Sequence, residues 1–245
     1  MNIISGIYWD KGERCLNQDS LMLEQVYTPK GRLLLAVVSD GIGGLAEGEM
    51  ASGLIVEKCR HFFYREMVKN VGKGISTLEK ICLRCLYEAG GDLQKYGHAK
   101  GCHLGATLSL LLIFRNSYVI MQLGDSRIYQ LFYRYGRYNI QKMTTDQVDK
   151  KGRLLRCLGS YAYQLPEVKK GRCRLGTGFL LCSDGFYRMQ KEKSLQEVLA
   201  PRELTEDSQI TKRLGRLAKE AHRRGEKDNI SAVYIICKRK GVRRK

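Results

Sequence analysis

Strand-like apolar segments in this chain end at an aspartate beside glycine, and this pattern constrains the fold most. The first, LLLAVVSDGIGG (residues 33–44), leads six apolar residues toward Asp40. The arrangement returns at residues 118–126 (YVIMQLGDS) and 179–185 (FLLCSDG), and Asp228 lies just before the apolar run ISAVYIIC. Glycine lets the backbone turn and lets a ligand come close to it, so such an aspartate can face a cleft. The pattern favours a fold that collects several carboxylates at one sheet edge.

The order of the remaining segments predicts the fold class. Helical periodicity runs from Met50 to Phe63, from Leu78 to Leu93 and from Ile210 to Ala221. The short links FRNSY and YRYGRY are typical of hairpins and favour antiparallel pairing. Strand-like runs rich in Ile, Val, Leu and Tyr lie at residues 2–9, 21–27, 33–39, 104–114, 117–123, 127–133, 178–183 and 230–237. We therefore expect an α+β fold in which two packed antiparallel β-sheets are flanked by α-helices, an αββα sandwich.

The 245 residues, 43% hydrophobic and 28% charged, fit one sizeable domain. We expect this domain to span residues 1–237 and to be followed by a basic tail, residues 238–245. No apolar stretch approaches the roughly 18 residues of a membrane span, and the segment MNIISGIYWDKGER lacks the basic start and long apolar stretch of a signal peptide, so we expect a cytoplasmic protein. We also expect a monomer. The nine cysteines are scattered, and the helical pattern around Cys82 and Cys85 favours a place in the core over a zinc site.

Charge and motifs exclude several classes of function. The net charge of +18 allows attraction to nucleic acid, anionic lipid or an acidic partner, but no helix-turn-helix or aromatic-basic motif supports nucleic-acid binding as the main role. The four histidines show no ligand spacing, and the chain has neither a P-loop nor a GxSxG elbow.

Each of the aspartates, taken alone, is explained as a turn former. Several carboxylates gathered at one edge repel one another unless positive charge lies between them. Mg²⁺ and Mn²⁺ prefer ligands of this all-oxygen type, and two such ions can activate a water and hold a phosphoryl group.

The ordered motifs resemble the metal-dependent protein phosphatases of type 2C in their bacterial form. The resemblance covers nearly the whole chain and is strongest at SDGIGGLAEGEMAS, which looks like the family's DG-x-GG-x₃-GE-x-AS segment. Further matching segments are RCLNQDS, GATLSLLLI, GDSRIY, MTTD, CLGS, LLCSDGF and EKDNISAVYI.

The resemblance implies two Mn²⁺ or Mg²⁺ ions, with a weaker third. Asp40 would bridge the first two ions and the carbonyl of Gly41 would bind one of them, while Asp184 and Asp228 would complete the other ion's shell. Asp19 would hold metal-bound waters.

The resemblance also implies how the substrate is bound and cleaved. Arg14 would grip the substrate phosphate, and Asp125, together with Asp184, would recruit the third ion. The implied activity is hydrolysis of phosphoserine and phosphothreonine in proteins by a metal-bridging water, and the implied partner is a cognate Ser/Thr kinase.

Three departures from the family pattern stand out. Gln18 occupies a position that is often glutamate in animal members. Ile42 follows the Asp-Gly pair where animal members carry a histidine proposed as general acid. Only QVDKKGRLLRC separates Asp146 from Leu158, where bacterial members carry a longer flap, so we expect a short or absent flap. Two alternatives to the phosphatase remain at this point: a catalytically weak relative that only binds a phosphoprotein, and a nucleic-acid binder driven by charge.

Overall fold

The computed structural model describes residues 2–42, 47–159 and 162–238. The predicted basic tail, apart from Lys238, therefore lies outside the described residues. So do residues 43–46 of the glycine-rich segment and the last residue of the CLGS motif, Ser160.

Two antiparallel five-stranded sheets form the centre of the described structure. The first sheet has the order β1-β10-β9-β6-β7 and the second has the order β2-β3-β4-β5-β8. Their strands are β1 (Asn2–Asp10), β2 (Asp19–Thr28), β3 (Gly31–Asp40), β4 (Leu108–Phe114), β5 (Ser117–Leu123), β6 (Arg127–Arg134), β7 (Arg137–Lys142), β8 (Glu167–Arg172), β9 (Gly178–Cys182) and β10 (Ile230–Lys238).

Helices cover the outer face of each sheet. The helix α1 (Gly48–Phe62) continues through a π-helical turn (Phe63–Met67) into α2 (Val68–Asn70) and a 3₁₀ turn (Val71–Lys73). The 26-residue helix α3 (Ile75–Lys100) packs against α1. On the other side are α4 (Asp184–Tyr187), α5 (Glu192–Val198), a 3₁₀ turn (Pro201–Glu203) and α6 (Asp207–Arg223). No described helix is both long and apolar enough to cross a membrane.

Three apolar layers hold these elements together. Leu35, Ile55 and Leu78 belong to the layer between the second sheet and the helices α1 and α3. Leu180 and Leu214 belong to the layer between the first sheet and α6. The layer between the two sheets contains side chains such as Leu34, Leu111, Ile120, Phe179, Leu181 and Val233. Alternate residues of β3 and β9 face opposite layers, which explains their continuous apolar runs. The predicted sandwich is confirmed.

The sequence prediction is wrong at several boundaries. The strand predicted from residue 104 begins at Leu108, because Ala106 instead bridges Gly41 on one side and Leu158 on the other. The edge strands β7 and β8 were not predicted, nor were the short helices α4 and α5. Both hairpin links are confirmed by the pairs Phe114↔Ser117 and Arg134↔Arg137.

Candidate active site

Asp19 and Asp40 lie directly opposite each other where β2 begins and β3 ends. The backbone of Asp40 is fixed on its other side by Thr107, whose hydroxyl accepts a hydrogen bond of 3.0 Å from the Asp40 amide and whose amide donates one of 2.8 Å to the Asp40 carbonyl. Antiparallel pairing therefore brings together two carboxylates that are 21 positions apart in the chain.

The first sheet contributes two further carboxylates at the same end. Asp184 is the first residue of α4, just after β9, and Asp228 lies just before β10. Ser183 connects the two sheets here, since its hydroxyl donates a 2.8 Å hydrogen bond to Asp19 Oδ2 and accepts one of 3.0 Å from the Ser231 amide. Strand ends from both sheets are thereby held at a common edge.

The loop that carries Arg14 is anchored to this edge by Asn229. The Asn229 side chain accepts a 2.8 Å hydrogen bond from the Gln18 amide and donates to the carbonyls of Lys11 (2.8 Å) and Leu16 (3.0 Å). Arg14 then places its guanidinium on Asp228, with Nε–Oδ1 and Nη2–Oδ2 distances of 3.0 Å each.

A cleft of about 190 Å³ opens at this edge. Every predicted site residue except Asp19 lines it: Arg14, Asp40, Gly41, Asp125, Asp184 and Asp228. Asp19 is only 1% exposed and lies beside Asp40. The structure therefore brings together all seven residues that the sequence singled out.

The carboxylates of this cleft destabilise one another when charged. Burial, and then the charges of Asp19, Asp184, Asp125 and Asp228, raise the pKa of Asp40 well above its usual range. Burial also raises the pKa of Asp19 and that of Asp184 to about 6 each, and it raises the pKa of Asp125. Such a cluster favours the binding of positive charge between its members.

The donor set fits a hard divalent cation. All the side-chain donors are carboxylate oxygens, and Asp19 Oδ1 is buried without a hydrogen-bond partner. The absence of a side chain at Gly41 lets the first turn of α1 pack against this turn, since a Cβ there would lie 2.2 Å from the Gly48 carbonyl oxygen. Within the described parts of the chain, no three His, Cys, Asp or Glu side chains already stand in a metal-ligating arrangement. Arginines hold Asp184 and Asp228, so a bound ion would have to replace those ion pairs.

Arg188 is the functional candidate that the sequence analysis missed. It forms an ion pair with Asp184, contacts Glu226 Oε1 at 3.2 Å and lies 3.7 Å from Asp228 Oδ2. Its position four residues after Asp184, one turn along a helix, is the signal that could have identified it. A second guanidinium thus faces the same carboxylates as Arg14.

Asp125 is held by aromatic and ionic contacts on its own side of the cleft. Tyr187 donates a 3.1 Å hydrogen bond from its hydroxyl to the Asp125 carbonyl. Arg127 stacks on the Tyr187 ring at 3.6 Å and bonds Asp146 through Nε (3.0 Å) and Nη2 (2.6 Å). These contacts position the Asp125 backbone without using its carboxylate.

The segment after Asp146 is short, as the sequence predicted. Val148 bridges Leu154, and Arg153 Nε donates a 2.7 Å hydrogen bond to Asp149 Oδ2. Gly152 and Leu154 line the rim of the cleft, which no packed lobe covers among the described residues.

Comparisons with known proteins agree on one family. The sequence profile described as "Protein phosphatase 2C" matches residues 11–219. The chain is 27% identical over 239 residues to the serine/threonine protein phosphatase PstP of Mycobacterium tuberculosis, covering 90% of this chain and 42% of the relative. It is 23% identical to the serine/threonine phosphatase stp of Listeria monocytogenes, covering 86% of this chain and 87% of the relative. The chain thus spans less than half the length of the mycobacterial relative.

Solved structures share the fold. A bacterial serine phosphatase superposes with a TM-score of 0.81 at 21% identity, over 98% of this chain and all of that one. The catalytic domain of PstP in complex with two manganese ions superposes with a TM-score of 0.74 at 23% identity, over 96% and 97% of the two chains.

Proposed function

Since the chain belongs to the protein phosphatase 2C family, we propose that it is a Mg²⁺- or Mn²⁺-dependent phosphatase acting on phosphoserine and phosphothreonine in proteins. The observation that carries this proposal is the convergence of Asp40, Asp125, Asp184 and Asp228, from both sheets, on one cleft above the buried Asp19. The manganese-bound relative supports the choice of ion.

The cleft offers defined residues for two ions and a weaker third. Asp40 and the Gly41 carbonyl would hold the first ion. Asp40, Asp184 and Asp228 would hold the second, and Asp125 together with Asp184 would hold the third. Bound Mn²⁺ or Mg²⁺ would supply Lewis acidity, which lowers the pKa of a water and neutralises charge on the phosphoryl group.

Arg14 is suited to bind the phosphate. Its side chain is 57% exposed at the rim, and its planar fork now holds the carboxylate of Asp228. A phosphate offers the same paired oxygens to a guanidinium, so the substrate can take over this fork when an ion engages Asp228.

The nucleophile that the family resemblance implies is a water, and the lining is consistent with it. The described lining contains no serine, cysteine or histidine, and its one hydroxyl, that of Thr107, is hydrogen-bonded to the Asp40 amide and to Ser126. Ile42 also lines the cleft and offers no proton to the leaving alkoxide. The four lining aspartates would be engaged as ligands of the ions, so we expect hydrolysis without a covalent phosphoenzyme, as the resemblance implies.

The biological setting belongs to the same proposal. The substrates would be phosphorylated proteins, the partner a Ser/Thr kinase that makes them, and the enzyme a cytoplasmic monomer. The predicted tail would lie outside the catalytic domain only after Lys238, because Lys238 itself ends β10 and pairs with Asn2.

The test is phosphate release from a phosphothreonine peptide with Mn²⁺, with Mg²⁺ and with EDTA. We expect multiple turnover with either ion and none with EDTA. Peptide binding without turnover in the presence of Mn²⁺ would instead support the catalytically weak relative, and turnover that survives EDTA would contradict a metal-dependent mechanism.

A further inference from the structure

The solvent-facing side of α6 carries four cationic side chains in a line. Lys212, Arg216, Lys219 and Arg223 are exposed and recur every three or four residues along the helix. They span about 16 Å at 1.5 Å per residue. All four line a shallow surface depression of about 1070 Å³. We call these four side chains the basic face of α6.

The fold does not require this face. The opposite side of α6 packs on the first sheet through buried residues such as Ile210, Leu214 and Leu217. Like charges three or four positions apart destabilise a helix by about 0.2–0.5 kcal/mol per pair. The basic face contains three such neighbouring pairs, so it opposes the stability of the helix that carries it.

Three of these cations also lack compensation within the molecule. Lys212, Arg216 and Lys219 form no ion pair with any described residue, whereas the neighbouring Arg213 pairs with Glu203 at 3.0 Å. Arg223 has one long contact of 3.5 Å with Glu220. The positive charge of the face is therefore available to a partner.

The basic face ends close to the candidate active site. Arg223 is the last residue of α6, and Asp228 follows five residues later. Between them, the Lys227 carbonyl accepts a 3.1 Å hydrogen bond from the amide of Glu13, next to Arg14. Five residues span at most about 18 Å, so one end of a ligand on the basic face would lie within reach of the cleft through a short linker.

We propose that the basic face of α6 is a docking surface for an acidic segment of the phosphoprotein substrate, distant in sequence from the phosphorylated residue. The proposal rests on the proposed function and names the class of substrate it favours. About five residues of extended chain, at about 3.3 Å each, match the length of the face. Tethering through this segment raises the effective concentration of the phosphorylated residue at the cleft, and complementary charge speeds encounter.

An acidic protein segment fits the face better than the two other polyanions. A membrane surface would require apolar side chains beside the cations, but the apolar residues of α6 are buried. A nucleic-acid backbone places phosphates at regular short intervals, and Glu197 and Glu203 border the same depression and would repel it. Aspartate and glutamate in a peptide can be spaced to avoid those two residues.

The test compares two phosphothreonine peptides that differ only in an attached acidic segment, Glu-Gly-Glu-Gly-Glu, joined through flexible Gly/Ser linkers of graded length. The measured quantity is the kcat/KM of the peptide with the acidic segment divided by that of the peptide without it, determined at low and at high salt. Because both values come from the same protein, changes in the common chemical step cancel. A fluorescent, unphosphorylated peptide that carries the same Glu-Gly-Glu-Gly-Glu segment measures docking alone by anisotropy.

The test variant combines Lys212→Glu, Arg216→Glu and Lys219→Glu. Its matched control combines Lys69→Glu, Lys73→Glu and Lys80→Glu, which are exposed cations on the other helical layer and change the net charge equally. At low salt we expect a kcat/KM ratio of about ten for the unmodified protein and for the control, and a ratio near one for the test variant. At high salt we expect the ratio to fall toward one in all three proteins.

Two kinetic outcomes would contradict the docking surface: an unchanged kcat/KM ratio in the test variant, or an equal fall of this ratio in the control. Tighter binding of a DNA duplex or of phosphatidylserine vesicles than of the acidic peptide to the same face would also contradict it. If the unmodified protein hydrolyses neither peptide, the proposed function fails. The anisotropy comparison still decides whether the face binds an acidic segment, because it requires no turnover.

Discussion

The guanidinium of Arg14 and the carboxylate of Asp228 form two parallel hydrogen bonds of 3.0 Å each across the mouth of the cleft. The family resemblance gives these two residues separate partners, the phosphate and a metal ion. In this structure Arg14 and Asp228 are instead paired with each other. Binding of the phosphate to Arg14, or of an ion to Asp228, would therefore require this ion pair to open.

Arg14→Ala should lower kcat/KM for a phosphothreonine peptide by about tenfold to a hundredfold, because the phosphate loses a bidentate donor. Affinity for Mn²⁺ should stay constant or increase, since Asp228 is released. Titration calorimetry with Mn²⁺ and steady-state kinetics measure the two effects separately. Arg14→Lys, which keeps the charge without the fork, should be intermediate in kcat/KM. Weakened Mn²⁺ binding in Arg14→Ala would show that Arg14 orders the metal site instead.

Arg188→Gln should strengthen Mn²⁺ binding severalfold, because Arg188 pairs with Asp184 and lies 3.7 Å from Asp228. The metal-free protein should lose about 1–2 kcal/mol of unfolding free energy, since Glu226, 4% exposed, loses its cation. Calorimetry and urea denaturation without metal measure these effects.

The matched control is Arg224→Gln, which removes a nearby arginine that pairs with Glu220 and not with the cleft carboxylates. It should leave Mn²⁺ affinity unchanged. Equal effects of the two variants on Mn²⁺ affinity would mean that general charge, rather than the contact of Arg188 with the ligands, sets that affinity.

Gly41→Ala should destabilise the protein by about 1–3 kcal/mol, as overpacking does in a tight core. The new Cβ would lie 2.2 Å from the Gly48 carbonyl oxygen and 2.9 Å from that of Gln18, both of them backbone atoms. Gly91→Ala in α3 is the control, because no atom lies within 4 Å of its added Cβ. It should stabilise the helix by about 0.5–1 kcal/mol. Denaturant midpoints with an unchanged m-value check both, and a neutral Gly41→Ala would refute the close approach of α1 to this turn.

The sequence predicts the interior of this fold better than its edges. The apolar runs at β3, β4, β9 and β10 are buried on both faces, which makes them easy to recognise. The missed strands RYNIQK and EVKKGR close the two sheets at their edges, where charged residues limit further pairing and hide the apolar pattern.

The site shows a similar division. Asp40, Asp125 and Asp184 are marked in the sequence by an adjacent glycine at the end of an apolar segment, and Asp228 is marked by the strand that follows it. Asp19 was identified only by the family resemblance. Arg188 has only its spacing of four residues from Asp184 as a signal in the sequence, because its contacts with Glu226 and Asp228 depend on the fold. The sequence likewise could not show that Ser183 would tie Asp19 to the other sheet.

Asp40→Asn, assayed at saturating Mn²⁺, shows whether this cleft is the metal-dependent catalytic site. Asp40 lies opposite Asp19 and lines the same cleft as Asp184 and Asp228 of the other sheet. Its replacement by asparagine removes a negative charge that no other described side chain supplies at that position. We predict a fall in kcat for a phosphothreonine peptide of at least about a hundredfold, or about 3 kcal/mol of barrier, in a protein with unchanged circular dichroism. A turnover near that of the unmodified protein would contradict the assignment of this cleft as the metal-dependent catalytic site.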